Sequence, residues 1–297
     1  MPDTLVSAHD YEDLDQRFTH DSPVKSPTVD APWPRPQARA IFGPYALLRP
    51  LHPGPLGKRW LARHRFELTA HVIHRLHLCD GPDDVRRFRK AVGTLQTLSS
   101  PHLMTPEFAG VRRGGEAWVA SRYTGDRDGP VSLRRLVAMK GGALGHQEAR
   151  HATEQLLQAV EYAHARGVIH GPVNEEEILI NRRGSVAIEL YGLTRLLGDD
   201  QNACHQALVR EEVRSIAMLA AGMLLGQDVD DANLDRRLEA TVDVGSLATW
   251  LRTALQPGAG FLTAEEAASA LPWRRGGGAD DQSAPLVTTR RLKSIFS

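Results

Sequence analysis

Cysteine is nearly absent from this 297-residue chain, occurring only as Cys79 and Cys204. Two thiols supply neither a disulfide framework nor the four-donor set of a structural zinc site. The 13 histidines do not fill that gap. They show no CxxC or HExxH spacing, and His71, His74 and His77 read as decoration of a strand, so no metal site is expected. Lysine is scarce too, at positions 25, 58, 90, 140 and 293 alone, while arginine is plentiful. That usage suits a high-GC bacterial genome. Net charge is missing as well, with 36 basic residues against 36 acidic ones. Such a balance argues against nucleic acid as the default partner. No apolar run approaches the roughly 20 residues of a bilayer span, and Met1-Pro2-Asp3-Thr4 lacks the basic start of a secretory signal. The expectation is a cytoplasmic protein with no membrane insertion.

What is present is enough for one folded unit with tails: 41% of the residues are hydrophobic and 24% charged. Residues 1–40 begin polar and acidic and then turn proline-rich at Pro23, Pro27, Pro32, Pro34 and Pro36, which predicts a disordered leader. Residues 274–297 open on Arg274-Arg275-Gly276-Gly277-Gly278 and form a flexible basic tail. The tail closes on Thr288-Thr289-Arg290-Arg291-Leu292-Lys293-Ser294-Ile295-Phe296-Ser297. That mixture reads as a docking peptide, a phosphoacceptor site or a solubilising end. Between the tails, Ala149, Ala152, Leu156, Leu157, Val160 and Ala163 fall at helical spacing, predicting a helix over His146–Arg166. A second helix, apolar on nearly all sides, is predicted over about Glu212–Leu225.

Residues 166–180, Arg-Gly-Val-Ile-His-Gly-Pro-Val-Asn-Glu-Glu-Glu-Ile-Leu-Ile, carry the most specific pattern. They resemble the catalytic loop of eukaryotic-like (Hanks-type) bacterial Ser/Thr protein kinases, where a Gly-Val/Ile-Val/Ile-His lead-in precedes Arg-Asp, a tetrad and Asn-Ile-Leu. Other segments follow in the family's order. Ile41–Leu51 is similar to the first small-lobe strand, and His52-Pro53-Gly54-Pro55-Leu56-Gly57 stands where G-x-G-x-x-G covers the ATP phosphates. Lys58–His64 and Ala70–His74 resemble the next two strands, the latter at the V-A-I-K place. Phe88–Leu95 lies at the small-lobe helix, Val186–Leu193 at the D-F-G place, and Glu212–Ala217 at D-x-x-S-x-G. The resemblance covers about residues 41–273. It implies an α+β protein kinase-like bilobal fold, with a small β-rich N-lobe over about 41–122 and a larger helical C-lobe over about 123–273. It also supplies candidates for the apolar stack that ties kinase lobes together: Leu95, Pro106, His170 and Tyr191.

The same resemblance marks what is gone. His74 stands for the phosphate-holding Lys, Ala91 for its Glu partner, Pro172 for the catalytic Asp, and Glu177 and Leu190 for the two metal ligands. Proline accepts no proton, and a lone Glu177 carboxylate facing Leu190 and Pro172 makes a poor magnesium site. In the vestigial nucleotide loop Gly54, Gly57 and Lys58 remain. Pro53 and Pro55 remove N–H donors that phosphates need, and Arg59 and Val72 replace smaller residues above the purine. No A-P-E motif lies between Gly192 and Glu212, and its partner Arg is also absent, replaced within Gly260–Ala264. Glu212 keeps a carboxylate able to accept backbone N–H bonds near the loop, with His170 as a core histidine.

These losses predict a pseudokinase: a non-catalytic signalling scaffold or allosteric regulator acting through a protein partner, such as an active Ser/Thr kinase, without ATP or magnesium. An atypical kinase using Lys58 and Glu177, with ATP and Mg, is the alternative. A third reading is a fold reused for another small ligand.

Overall fold

The computed structural model describes residues 40–77, 81–112, 115–123, 129–198, 204–226, 229–230, 232–241, 245–256 and 258–275. The leader, Cys79 and the tail beyond Arg275 lie outside them. The described residues divide into two compact units, 40–92 with 106–129 and 93–105 with 130–275.

The first unit holds a six-stranded antiparallel sheet ordered β1-β2-β3-β4-β7-β6. Its strands are β1 (Ala40–Phe42), β2 (Tyr45–Pro50), β3 (Lys58–His64), β4 (Ala70–His77), β6 (Phe108–Val111) and β7 (Glu116–Arg122). The single strand expected over Ile41–Leu51 is two. Gly43 turns at φ 54° and Pro44 offers no N–H, so β1 folds back on β2 with Phe42 opposite Tyr45. Alternation then places Phe42, Tyr45, Leu47, Ala62, Ile73, Trp118 and Ala120 in one buried cluster. Phe42 meets Trp118 edge to face at 5.3 Å. Helix α1 (Pro82–Leu95) begins in this unit. It buries Phe88, Ala91, Val92 and Leu95, an i, i+3, i+4, i+7 stripe.

Tyr45 also packs against His71, whose ring is fully buried. His71 bonds the Thr69 carbonyl through Nδ1 at 3.2 Å and the Glu107 carboxylate through Nε2 at 2.8 Å. Both partners are acceptors, so both bonds form only when both ring nitrogens carry protons. Arg122 reaches Glu107 from the other side at 3.2 Å. Burial alone raises the Glu107 pKa, but the His71 bond and charge, followed by Arg122, outweigh it and hold the carboxyl below its ordinary 4.5. A lowered carboxyl contributes stability above its unfolded value and loses it as pH falls through the folded one. Glu107→Gln should therefore be less stable than wild type at neutral pH and should flatten the decline below about pH 4.5, measured by urea unfolding across an acid series.

The second unit has a four-stranded sheet and most of the helices. The sheet order is β5-β10-β9-β8, made by β5 (Leu103–Met104), β8 (Val131–Ser132), β9 (Ile178–Ile180) and β10 (Val186–Glu189). Helix α2 (Leu133–Met139) is capped by Ser132, which accepts the Arg135 N–H. Helix α3 (His146–His164) starts where the Glu148 carboxylate accepts the Gly145 N–H at 3.1 Å. It buries the apolar stripe expected from the sequence, Ala149 through Ala163. Then come α4 (Leu193–Leu197), α5 (His205–Leu225), α6 (Leu234–Ala240), α7 (Gly245–Leu255), α8 (Ala264–Ser269) and α9 (Pro272–Arg275).

Helix α5 starts at His205, seven residues before the expected start at Glu212. Leu208 and Val209 extend the buried face of Glu212, Val213 and Ile216 by one turn. The segment between Gly192 and Glu212, which lacks an A-P-E motif, is thus largely helix in its described part. Helix α5 also departs from being apolar on nearly all sides in a buried setting. Met218, Leu219 and Gly222 are only partly covered, on a face it shares with Glu211, Arg214 and Ser215.

Candidate functional site

In the first unit, the vestigial glycine loop is a closed turn. Gly54 N–H donates to the Gly57 carbonyl at 2.9 Å, and Gly57 N–H returns to the Gly54 carbonyl at 3.0 Å. Pro53 and Pro55 have no N–H, so four positions of the loop offer a phosphate nothing from the backbone. Gly57 adopts φ 130°, and a Cβ there would stand 2.5 Å from the Arg75 carbonyl oxygen. Both the positive φ and the backbone proximity call for glycine at this position.

The underside of the turn is filled by Arg59. A Cβ on Gly54 would fall 1.9 Å from Arg59 Nη2. Arg59 is 3% exposed and pairs across the β3–β4 ladder with His74, which is 2% exposed. The sequence reading took Arg59 as bulk above a purine and missed that its guanidinium packs into the loop. Its face on β3, shared with Leu61 opposite Val72 and His74, was the available signal. Lys58 lies at the strand end, exposed, in register with Arg75, which is ion-paired to Glu116. Ala91 is buried on α1.

In the second unit, Glu212 on α5 is fully buried. Its Oε2 accepts the main-chain N–H groups of His170 at 3.0 Å and Gly171 at 3.1 Å, and lies 3.2 Å from His164 Nε2. Its Oε1 accepts the Tyr191 hydroxyl. Burial first, then the charge and hydrogen bond of Glu212, push the Tyr191 phenol far above its ordinary value and keep it a donor. Ser215, one residue short of a helical turn further on, accepts the Val173 N–H at 2.9 Å and donates to the Glu212 carbonyl. One carboxylate and one hydroxyl on α5 thus anchor residues 170–173.

His170 differs from the expected role in one respect. Glu212 anchors its main chain, while the ring packs on Tyr191 at 5.3 Å, with Nε2 3.6 Å from Glu177 Oε1. Glu177 is 7% exposed and its Oε2 accepts the Asn174 N–H at 3.0 Å. Its carboxylate serves the loop that carries it. Pro172 is exposed, between Gly171 at φ 92° and the buried Val173. Leu190 is 1% exposed in the left-handed region at φ 43°, its N–H held by the Met104 carbonyl at 3.0 Å. Of the expected stack, the second unit contains Leu95, His170 and Tyr191, and Pro106 belongs to the first.

The same loop borders a cavity of about 430 Å³. Leu133 and Val137 of α2 form one wall and Pro172 through Glu175 another, while α5 supplies the partly covered face from Glu211 to Gly222. Arg134 lies 3.5 Å from Glu175 and 3.8 Å from Glu176. Sequence reasoning missed this cavity, because Met218 and Leu219 are of the same residue type as true core positions. At the head of α5, Cys204 is exposed and its thiol is pushed down by bonds from the Ala207 and Gln206 N–H groups. Among the described residues no group of three or more His, Cys, Asp or Glu side chains is placed to hold a metal. No helix among them is long and apolar enough to cross a membrane.

A β-rich unit, a helical unit and a loop hung from a buried α5 carboxylate define an α+β protein kinase-like bilobal fold. A solved structure, the PAN3 pseudokinase of Neurospora crassa, superposes on 79% of this chain and 63% of its own, with a TM-score of 0.65 and 10% identity. In sequence the chain is similar to protein kinases. It is 29% identical to CBL-interacting protein kinase 1 of rice (Oryza sativa subsp. japonica) over 169 residues, 54% of this chain and 35% of that one. It is 27% identical to rice CBL-interacting protein kinase 21 over 206 residues, 68% and 37% of the two chains. The carbon catabolite-derepressing protein kinase of Saccharomyces cerevisiae matches at 24% over 54% of this chain and 24% of its own. The chain therefore spans between about a quarter and somewhat over a third of the length of these relatives. No protein-family model matches it. These relatives are plant and fungal, and nothing in them supports the bacterial source inferred from arginine usage.

Proposed function

We propose that this chain is a pseudokinase: a protein kinase-like domain without phosphoryl transfer that acts in the cytoplasm as a signalling scaffold or allosteric regulator. Its partner is a protein, with an active Ser/Thr kinase or another signalling protein as the chemistry best matched to such a fold. The observation that carries this reading is the pair Pro172 and Leu190. At the place that the kinase resemblance gives to the catalytic base there is an exposed pyrrolidine ring, and at the place it gives to a metal ligand there is a Leu side chain 1% exposed. Neither side chain has an oxygen to offer a proton or a cation. Three further features support it. Glu177 is engaged by the Asn174 N–H, Gly54 and Gly57 spend their N–H groups on each other, and His74 is buried beside Arg59. The pseudokinase title of the superposed structure belongs to that protein, and is consistent with this reading.

Thermal unfolding with and without ATP, in magnesium or EDTA, tests the proposal. A nucleotide at a hundred times its dissociation constant stabilises a protein by about 2.7 kcal/mol. No shift is expected at millimolar ATP, and Lys58→Ala, an exposed change, should alter the midpoint by less than about 0.5 kcal/mol equivalent. A magnesium-dependent rise that Lys58→Ala removes would overturn the proposal in favour of an atypical, weakly active kinase using Lys58 and Glu177.

A further inference from the structure

We propose that the cavity beside Pro172 is a docking site for the chain's own C-terminal segment, Arg290–Phe296. The inference goes beyond the loss of catalysis and does not depend on whether nucleotide binds. On α5, Glu211, Ser215, Met218, Leu219 and Gly222 recur at intervals of three and four, so they form one stripe along the helix. The stripe is apolar toward its C-terminal end and faces Leu133 and Val137 across the cavity. Grooves of this kind take an amphipathic helix through anchors at i, i+3 and i+4. Leu292, Ile295 and Phe296 have that spacing, with Arg290, Arg291 and Lys293 on the remaining faces.

Charge and reach agree with this occupant. Glu175 and Glu211 border the cavity, Glu176 is beside Glu175, and the exposed Asp230 follows the lining residue Val229. Among the lining residues Glu175 and Glu211 outnumber Arg214 by one, and of their neighbours Arg134 lies close to Glu175 and Glu176 while Arg210 adjoins Glu211. The three cations of the segment complement that excess. The described chain ends at α9, where Trp273 lies under the Arg150 guanidinium at 4.8 Å. Arg150 is in the second turn of α3, and Leu144, just before that helix, donates its N–H to Met223 on the cavity wall at 2.6 Å. The described chain thus ends beside α3, in the same compact unit as the cavity. Sixteen residues separate Arg275 from Leu292. The 17 peptide steps between them reach at most about 56–61 Å when fully extended, which allows a return to the cavity.

A fluorescent peptide of residues 286–297, titrated by anisotropy against the full chain, tests the proposal. In wild type the tethered segment competes at an effective concentration on the order of millimolar, so peptide binding should be about tenfold weaker than to L292E/F296E. Leu219→Glu added to that variant should abolish peptide binding, and Glu211→Lys, an exposed change, should weaken it. Equal binding to wild type and L292E/F296E overturns the proposal, as does no binding to either. If Leu219→Glu fails to fold, an unchanged affinity in Glu211→Lys overturns it. Sedimentation separates the remaining case. A wild-type dimer that becomes a monomer in L292E/F296E would place the segment on a second copy and overturn docking within one chain.

Discussion

Glu212→Ala should lower the melting temperature of this protein by more than any other single change in the kinase-like core. The carboxylate is fully buried and receives the main-chain N–H groups of His170 and Gly171, the Tyr191 hydroxyl and the His164 ring. Each donor stranded without water costs about 1–3 kcal/mol. Four such losses approach about 5 kcal/mol or more, a large fraction of the 5–15 kcal/mol that holds a domain together. At about 2–4 °C per kcal/mol, the expected drop is 10–20 °C, with unfolding at 37 °C within reach.

The order of a small series separates the anchoring role from mere volume. Glu212→Gln keeps one oxygen for the two N–H groups, while the Tyr191 hydroxyl rotates to accept from the new amide, so it should cost about 1–3 kcal/mol. Tyr191→Phe removes one donor and leaves the other three in place, for about 1–2 kcal/mol. Calorimetry should therefore rank the variants Ala far below Gln, with Gln close to Phe. Equal losses for Ala and Gln, although Gln keeps the volume, would mean that a single amide oxygen cannot hold residues 170–171 and that Glu212 acts through its full carboxylate.

That anchor was legible in the sequence because it depends on one residue type at one place relative to an apolar frame. So was the alanine-rich stripe of α3, since periodicity alone defines a buried face, whereas Phe88–Leu95 was placed by resemblance and its buried stripe Phe88, Ala91, Val92 and Leu95 went unread. The β1–β2 break was written in Gly43-Pro44 and was overlooked because the flanking residues kept alternating through it. Other features are not local. Arg59 beneath Gly54 depends on how two segments of a turn pack, and the closure of Gly54 on Gly57 depends on turn geometry. The early start of α5 and the open face at Met218 and Leu219 depend on how much chain covers the helix. Residue type cannot distinguish an apolar side chain in a core from one that lines a cavity.

Leu190→Asp supplies the residue type that the proposed kinase correspondence calls for here, and it should make the protein worse without making it bind metal. Leu190 is 1% exposed, and removing its apolar surface costs about 2–5 kcal/mol with the cavity left behind. Its left-handed backbone, φ 43°, is easier for Asp or Asn than for Leu, which returns less than about 1 kcal/mol. The new carboxylate then has to be buried. Burial raises the pKa of an acid, and a group with a raised folded value stabilises the fold increasingly as pH falls. The deficit of Leu190→Asp should thus be largest at about pH 7 and shrink toward about pH 5, while Leu190→Asn shows the loss of volume with no such pH dependence. Millimolar magnesium with ATP should recover none of it. In the second unit Glu177 is held by the Asn174 N–H beside His170, and Pro172 contributes no oxygen, so one restored carboxylate does not assemble an octahedral cation site. A magnesium-dependent gain in the unfolding midpoint of Leu190→Asp would show that Glu177 can turn from the loop to a metal, and that the scaffold is one substitution from a cation site.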